Sequence, residues 1–367
     1  MTATSRALLL CLATLRPAAG HTQIFAPARP HTRNSIPLKR LTISAKALQA
    51  NWLLATPPGL ETWAGINAWQ RFVIVDALTQ YTEVSGDHTY LPLIEAAVIN
   101  HSGLDGNDDD LWAVISSLHV YRLHPSPMLL QFASAKFAEL ADGYWDETCG
   151  GGMWWDHDRT YKNAITNELF LYAATELFRL TDEPVYSTWA QKEWIWFNHS
   201  GMINPDHLVN DGLTAACKNN GSPTYTYNQG VLLGGLVNLY QMDKDDTHLQ
   251  LAAQIAHAAI LHLTKDGILS EPTPTLNQDG QTFKGVFVSH LGDLVPVVRD
   301  AQLKVEFSSF LTRNATAVWT RRDRRNNKLN SYWGGTSISF GAAAQAAALQ
   351  LFLAAYRASD SSAQPAN

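Results

Sequence analysis

From about Leu41 to Tyr356, apolar residues return at steps of three and four with polar residues between them, which is the period of an amphipathic helix. Twelve such stretches stand out: 41–54, 63–84, 89–98, 109–122, 127–141, 160–179, 183–196, 225–241, 246–263, 284–299, 302–320 and 338–357. Alternation with a period of two is sparse, so little strand is expected. Short polar breaks such as Val84-Ser85-Gly86-Asp87 and Gln241-Met242-Asp243-Lys244-Asp245-Asp246 suit helical hairpins. The stretches 248–261 and 341–355 are apolar around most of their circumference and are expected in an inner layer. Twelve helices without a long linker predict an all-α chain closed as an (α/α)6 barrel, a toroid of six hairpins. Uneven spacing and the lack of a clear sequence period argue against an open solenoid.

Composition sets the class. The chain has 367 residues, is 46% hydrophobic and 16% charged, and is globular on those numbers. With 27 Lys plus Arg against 33 Asp plus Glu, no nucleic-acid partner is expected, because phosphate binding needs a basic face. The run Arg321-Arg322-Asp323-Arg324-Arg325 is short and reads as a solvated loop. Arg6 followed by the apolar run Ala7–Leu15 and small residues up to Gly20 has the layout of a signal peptide. Residues 1–20 are therefore expected to be removed, 21–39 to be a flexible Pro-containing segment, 40–358 to form the helical domain and 359–367 a disordered tail. No membrane-spanning segment or lipid-anchor signal is expected, and a monomer is. Without Cys11, the pair Cys149 and Cys217 reads as one disulfide of an exported chain. Asn198, Asn220 and Asn314 head glycosylation triplets.

The chemistry concentrates in the connections. Asp108, Asp109 and Asp110 stand together before Leu111-Trp112-Ala113-Val114-Ile115. A helix start is served by one capping acid, and packing like charges together raises at least one pKa. Paired carboxylates with divided protonation are what glycosidic cleavage requires. Gly150-Gly151-Gly152 lead into Met153-Trp154-Trp155, two indoles suited either to a sugar face or to the core. Asn163 and Asn167 share a helix face, with Lys162 and Glu168 elsewhere; they serve a ligand or the backbone of an adjacent loop. Tyr227, Asn228 and Gln229 supply donors and acceptors matched to hydroxyls. The 13 histidines are scattered without a zinc-type spacing, and phosphate-loop, dinucleotide and nucleophile-elbow motifs are absent. No cofactor or metal is expected.

Taken in order, Gly106-Asn107-Asp108-Asp109 with Trp112, Gly151-Gly152-Met153-Trp154-Trp155, Tyr161-Lys162-Asn163-Ala164-Ile165-Thr166-Asn167-Glu168-Leu169, Thr226-Tyr227-Asn228-Gln229-Gly230 and Phe283-Lys284-Gly285-Val286-Phe287 resemble glycoside hydrolase family 76, the α-1,6-mannanases. The resemblance covers about residues 41–357. It implies an (α/α)6 barrel that cleaves α-1,6-linked mannan with retention, in a secreted or cell-wall-associated protein. It implies Asp108 as nucleophile and Asp109 as general acid/base, with Asn107, Trp112, Trp154, Trp155, Asn163, Asn167, Tyr227, Asn228, Gln229 and Lys284 as substrate-binding candidates. Ala113 departs from the second Trp that many members show there. A mannan transglycosylase and a non-catalytic mannan-binding protein are the alternatives.

Overall fold

The computed structural model describes residues 36–361. The expected leader, most of the 21–39 segment and the last tail residues lie outside the described residues. Twelve α-helices alternate between two layers: α1 (Leu38–Trp52), α2 (Ala68–Ser85), α3 (Leu91–Val98), α4 (Asn107–Leu123), α5 (Pro127–Tyr144), α6 (Ala164–Thr181), α7 (Pro184–His199), α8 (Thr226–Asp243), α9 (Asp246–His262), α10 (Gly280–Leu294), α11 (Ala301–Thr320) and α12 (Ala342–Ser361). Beyond them, strand structure among the described residues amounts to the two-residue hairpin pair β1 (Thr264–Lys265) and β2 (Ile268–Leu269) and isolated bridges.

The even-numbered helices form the inner ring. Each packs on the next, α2 on α4, α4 on α6, α6 on α8, α8 on α10 and α10 on α12, and α12 returns to α2 to close the circle. Exposure separates the layers: α8 buries 13 of its 18 residues, while α11 buries six of 20. The close approach of inner helices needs glycine at particular points. A Cβ on Gly285 would stand 2.4 Å from Ala347 Cα, so α10 and α12 meet backbone to backbone there.

All twelve expected helices are present, with shifted starts. The capping box of Asn67 and Gln70 opens α2 five residues later than the apolar pattern suggests. Asn163 caps α6 rather than lying inside it, accepting from Thr166 N–H at 3.2 Å. At the N-terminal boundary Ile36 is buried and α1 begins at Leu38, so ordered structure reaches back before residue 40. α12 extends to Ser361, into the expected tail. One layer assignment is corrected: the Ala-rich α9 is an outer helix, packed on α8 along one buried face, with His257 and Leu261 outside. Its alanines permit close packing on α8 rather than burial all round. On the barrel axis beneath Trp112, Asp76, His119 and Tyr172 line a small cavity, with His119 Nδ1 3.3 Å from Asp76 and Nε2 3.3 Å from Tyr172 Oη.

Candidate active site

α4 starts where a glycine turns the chain. Gly106 has φ +109°; the Asn107 N–H donates to Trp155 O at 2.9 Å, and the Asn107 amide donates to Trp154 O at 2.8 Å. The helix start is thereby fastened to the loop of paired indoles. The acids that follow are then sorted by direction. Asp110 turns to Lys136 of α5, 3.7 Å away. Asp108 and Asp109 line a groove of about 520 Å3, and Asp109 Oδ2 accepts from the Asp105 N–H at 3.1 Å.

The groove lies where the N-terminal ends of α2, α4, α6, α8 and α10 come together, contributing Asn67, Asp108, Asn163, Tyr227 and Asp279. Five carboxylates, of Asp105, Asp108, Asp109, Asp211 and Asp279, line it without a Lys, Arg or His among them. Helix N-termini carry the positive ends of backbone dipoles, which makes this the end of the barrel that tolerates such a concentration of acid. The floor is an aromatic arc. Trp112 stacks on Trp69 at 5.5 Å, Trp69 on Phe283 at 6.3 Å, and Phe283 on Tyr227 at 3.9 Å. Asp279 fixes the middle of the arc, accepting from Trp69 Nε1 at 2.9 Å and Asn67 Nδ2 at 2.6 Å. On one wall Trp155 stands edge-on to Tyr161, whose hydroxyl donates to Asp211 at 2.8 Å. Apolar ring faces bordered by hydrogen-bonding edges match the two kinds of surface that a sugar presents.

Burial decides the protonation of the pair. It pushes Asp108 up to about 8, with the charge of Asp109 adding to the rise. It pushes Asp109 up to about 7, against the Asp105 N–H, which favours the charged form. A helix N-terminus favours a carboxylate by about 0.3–1 kcal/mol, less than the roughly 1.4 kcal/mol of a single pKa unit, so loss of water outweighs the dipole. Both carboxyls thus hold a proton well above the usual carboxylate range, Asp108 the more strongly, and the pair titrates as a unit around neutral pH.

The same shifts bear on stability. A carboxyl with a raised folded pKa binds its proton more tightly in the folded state, so its contribution is greatest at low pH and declines as pH climbs from the unfolded value to the folded one. Asp108→Asn is therefore expected to melt close to the unsubstituted protein near pH 4 and to gain on it steadily up to about pH 8, by at least about 1 kcal/mol. Thermal melts across that range test this. A gain that did not grow with pH would show that burial does not set the pair's protonation.

Of the residues expected at the site, Asp108, Asp109, Trp112, Trp155, Asn163 and Tyr227 line the groove. The others stand outside the groove lining. Asn107 is fully buried against the indole loop. Asn167, also fully buried, accepts from Met153 N–H at 2.6 Å and donates to Met153 O at 3.1 Å. Gln229 makes the same two-way clasp on Val209, at 2.8 and 2.9 Å. Asn228 is buried behind Asp211. Lys284 is buried near Glu271 with its ammonium 5.7 Å from the Trp333 ring. Trp154 donates from its indole to Asp146 at 2.9 Å and carries the Lys162 ammonium on its ring. These amides and rings hold the connections that shape the groove.

Cys149 and Cys217 are joined, linking the indole loop to the loop that ends at Asn220. Asn198 is exposed in the last turn of α7, and Asn220 is half-buried with its amide on Tyr161 Oη at 2.7 Å. Asn314 is corrected. It is fully buried in α11 and holds the β-hairpin through Leu269 N–H, leaving no room for a glycan. Trp69, Asn67, Asp105, Asp211 and Asp279 were not singled out as site residues. The Asn67-x-x-Gln70 box next to Trp69 is the one local signal that could have drawn attention to that rim.

Residues 48–366 match the model of glycosyl hydrolase family 76. The chain belongs to that family. Among curated relatives, a putative mannan endo-1,6-alpha-mannosidase of Schizosaccharomyces pombe is 28% identical over 61% of this chain. The mannan endo-1,6-alpha-mannosidase DCW1 of Candida albicans is 28% identical over 60% of it. The matches span 58% and 52% of those relatives' own lengths. Among solved structures, an inactive double Asp-to-Asn variant of a Salegentibacter α-1,6-mannanase in complex with α-1,6-mannotriose superposes with TM-score 0.77 at 21% identity, covering 87% of this chain and 98% of that one. Dfg5 of Chaetomium thermophilum in complex with glucosamine superposes with TM-score 0.76 at 18% identity, covering 89% and 92%. At these identities the superpositions establish a shared barrel. Among the described residues of this family member, no helix is long and apolar enough to cross a membrane, and no group of three or more His, Cys, Asp or Glu is placed to hold a metal ion.

Proposed function

We propose that this family 76 protein is a retaining endo-α-1,6-mannanase, acting on fungal-type mannan and secreted or associated with a cell wall. The observation that carries the reading is the buried carboxyl pair Asp108 and Asp109 above the Trp112–Trp69–Phe283–Tyr227 floor; the reaction runs from the state of the pair in which Asp109 holds the proton and Asp108 is ionised. In the first step Asp109 gives its proton to the glycosidic oxygen, the bond to the leaving sugar breaks, and the Asp108 carboxylate attacks the anomeric carbon to form a mannosyl ester. In the second step Asp109, now ionised, takes a proton from water as the water oxygen displaces Asp108. Two inversions give net retention.

Digestion of unbranched α-1,6-mannan, with and without an added α-1,6-mannooligosaccharide acceptor, tests this. The expected products are short α-1,6-mannooligosaccharides with new reducing ends in step with bonds broken. Lengthened acceptors in excess of new reducing ends would assign the protein to glycan transfer instead. Binding without any turnover would assign it to mannan recognition.

A further inference from the structure

Arg71 is the fourth residue of α2 and is 5% exposed, yet no carboxylate among the described residues comes within ion-pair distance of it. Its guanidinium is bonded to neutral groups. It donates to the carbonyl of Asn100, to that of Ser102 at 3.2 Å and more loosely to Thr62 Oγ1 at 3.5 Å. Burying a guanidinium against carbonyls alone is costly, because the charge remains uncompensated at contact range. A compact helical domain has cheaper ways to tie down a loop, so the position of that charge calls for an explanation.

The loop that Arg71 holds runs from α3 to α4. Within it Asn100 donates to Glu61 O at 3.3 Å and accepts from Ser102 N–H at 3.2 Å and Ser102 Oγ at 2.6 Å, which makes the segment a rigid knot. Its last residues present the Asp105 N–H to Asp109 Oδ2 at 3.1 Å, before Gly106 turns into the helix. The acid that acts on the Arg71 charge is Asp109. We propose that Arg71 is a positioning residue for Asp109: from within the wall it clamps the Asn100–Ser102 knot, so that the Asp105 N–H stays on Asp109, and it supplies the positive charge that the acid-lined groove lacks. This rests on the reading of Asp109 as general acid/base.

Both effects act on one carboxyl. The N–H favours ionised Asp109, opposing the burial that pushes it up to about 7, and by reciprocity the Arg71 charge that Asp109 acts on works in the same sense. Opposing influences of this kind keep an acid/base near the working pH. The planar fork of arginine suits two carbonyls at once, which a lysine ammonium on a flexible stem does not reproduce.

The test compares Arg71→Met and Arg71→Lys with the unsubstituted protein. kcat and KM on unbranched α-1,6-mannan are measured across pH, and the Asp109 carboxyl is titrated separately by NMR with 13C-labelled aspartate. Arg71→Met is expected to lower kcat about 100-fold, as a misplaced catalytic group does, with little change in KM. Its alkaline limb and the Asp109 titration should both move to higher pH. Arg71→Lys, which keeps the charge and loses the fork, should leave the titration near its original place while kcat still falls. An Arg71→Met protein with lower Tm but unchanged Asp109 titration and pH profile would overturn the proposal, leaving Arg71 a structural clamp. If Arg71→Met does not fold, a kcat for Arg71→Lys equal to that of the unsubstituted protein would overturn it equally. A protein inactive on mannan whose Asp109 titration still moves in Arg71→Met would refute the mannanase reading and sustain the Arg71 assignment.

Discussion

On unbranched α-1,6-mannan, Asp108→Asn is expected to lower kcat by at least about 10^4-fold, the scale on which loss of a nucleophile is felt. Asp109→Asn is expected to lower it by about 10^2–10^4-fold, the share of a general acid. Both variants should still bind α-1,6-mannooligosaccharides, because the aromatic floor and the Asp279 and Asp211 walls are untouched. The roles separate with an aryl α-1,6-mannobioside whose leaving group needs no proton. Asp109→Asn should still form the mannosyl ester from it, with a burst of released phenol, and added azide should intercept that ester to give the α-mannosyl azide. Asp108→Asn should form no ester, and in Asp108→Ala azide entering the vacated space should give the β-mannosyl azide. The opposite stereochemistry in the two variants would exchange the roles. Retention of near-full activity by either would remove the pair from the reaction altogether.

How far the chain reveals this arrangement depends on how local each signal is. Helices come through because each carries its period within one stretch, and all twelve appear in place. Their layer does not, since α9 shows that a helix can be rich in Ala because it packs closely on one side. The acids of α4 are visible because three adjacent carboxylates exceed what capping uses. Which of them turns away is not visible, because it depends on Lys136, one helix further along. Asn167 and Gln229 are recognisable as residues with a task, yet the task is a backbone clasp across a connection, and that partner is fixed only by folding. Trp69, Asp279 and Arg71 come from α2 and from the start of α10. Nothing near them in sequence indicates that they meet Asp109 or its loop, because ring closure brings those ends together.

Lys162 illustrates the same limit and is the site of the second large effect. Lys162 is 2% exposed, and its ammonium donates to Thr148 O at 2.7 Å, Gly151 O at 2.8 Å, Asp146 Oδ1 at 2.9 Å and Asp146 O at 3.1 Å, with the Trp154 ring 4.8 Å away. A side chain thus occupies the place that a bound cation takes in other loops. Burial pushes Asp146 upward, but the Lys162 ammonium with the Trp154 and Thr148 N–H groups holds it well below the usual carboxylate range. The same loop has Gly152 at φ +95° beneath Trp196, where a Cβ would lie 2.3 Å from the ring, and the Cys149–Cys217 bridge at its other edge.

Lys162→Met takes the ammonium from Gly151 O and Asp146 O, while Thr148 O keeps the Gly151 N–H and the Asp146 carboxylate keeps the Trp154 and Thr148 N–H groups; at about 1–3 kcal/mol for each buried group left unpaired, the loss is about 2–6 kcal/mol. That matches or exceeds the roughly 2–5 kcal/mol expected for removing the bridge by Cys149→Ser with Cys217→Ser. Because both fasten one loop, the triple variant should lose less than the two losses added together. The effect should reach the chemistry as well: Trp155 O holds the Asn107 N–H at the start of α4, so a loosened loop releases the helix start that aims Asp108. Denaturant unfolding of the single, double and triple variants, with kcat on α-1,6-mannan for each, measures both consequences. A Lys162→Met protein within about 1 kcal/mol of the unsubstituted one, short of the cost of two unpaired buried carbonyls, would show that the ammonium does not organise the loop. Strictly additive losses would show that ammonium and bridge hold separate structures, so that only the one whose removal lowers kcat supports the catalytic pair.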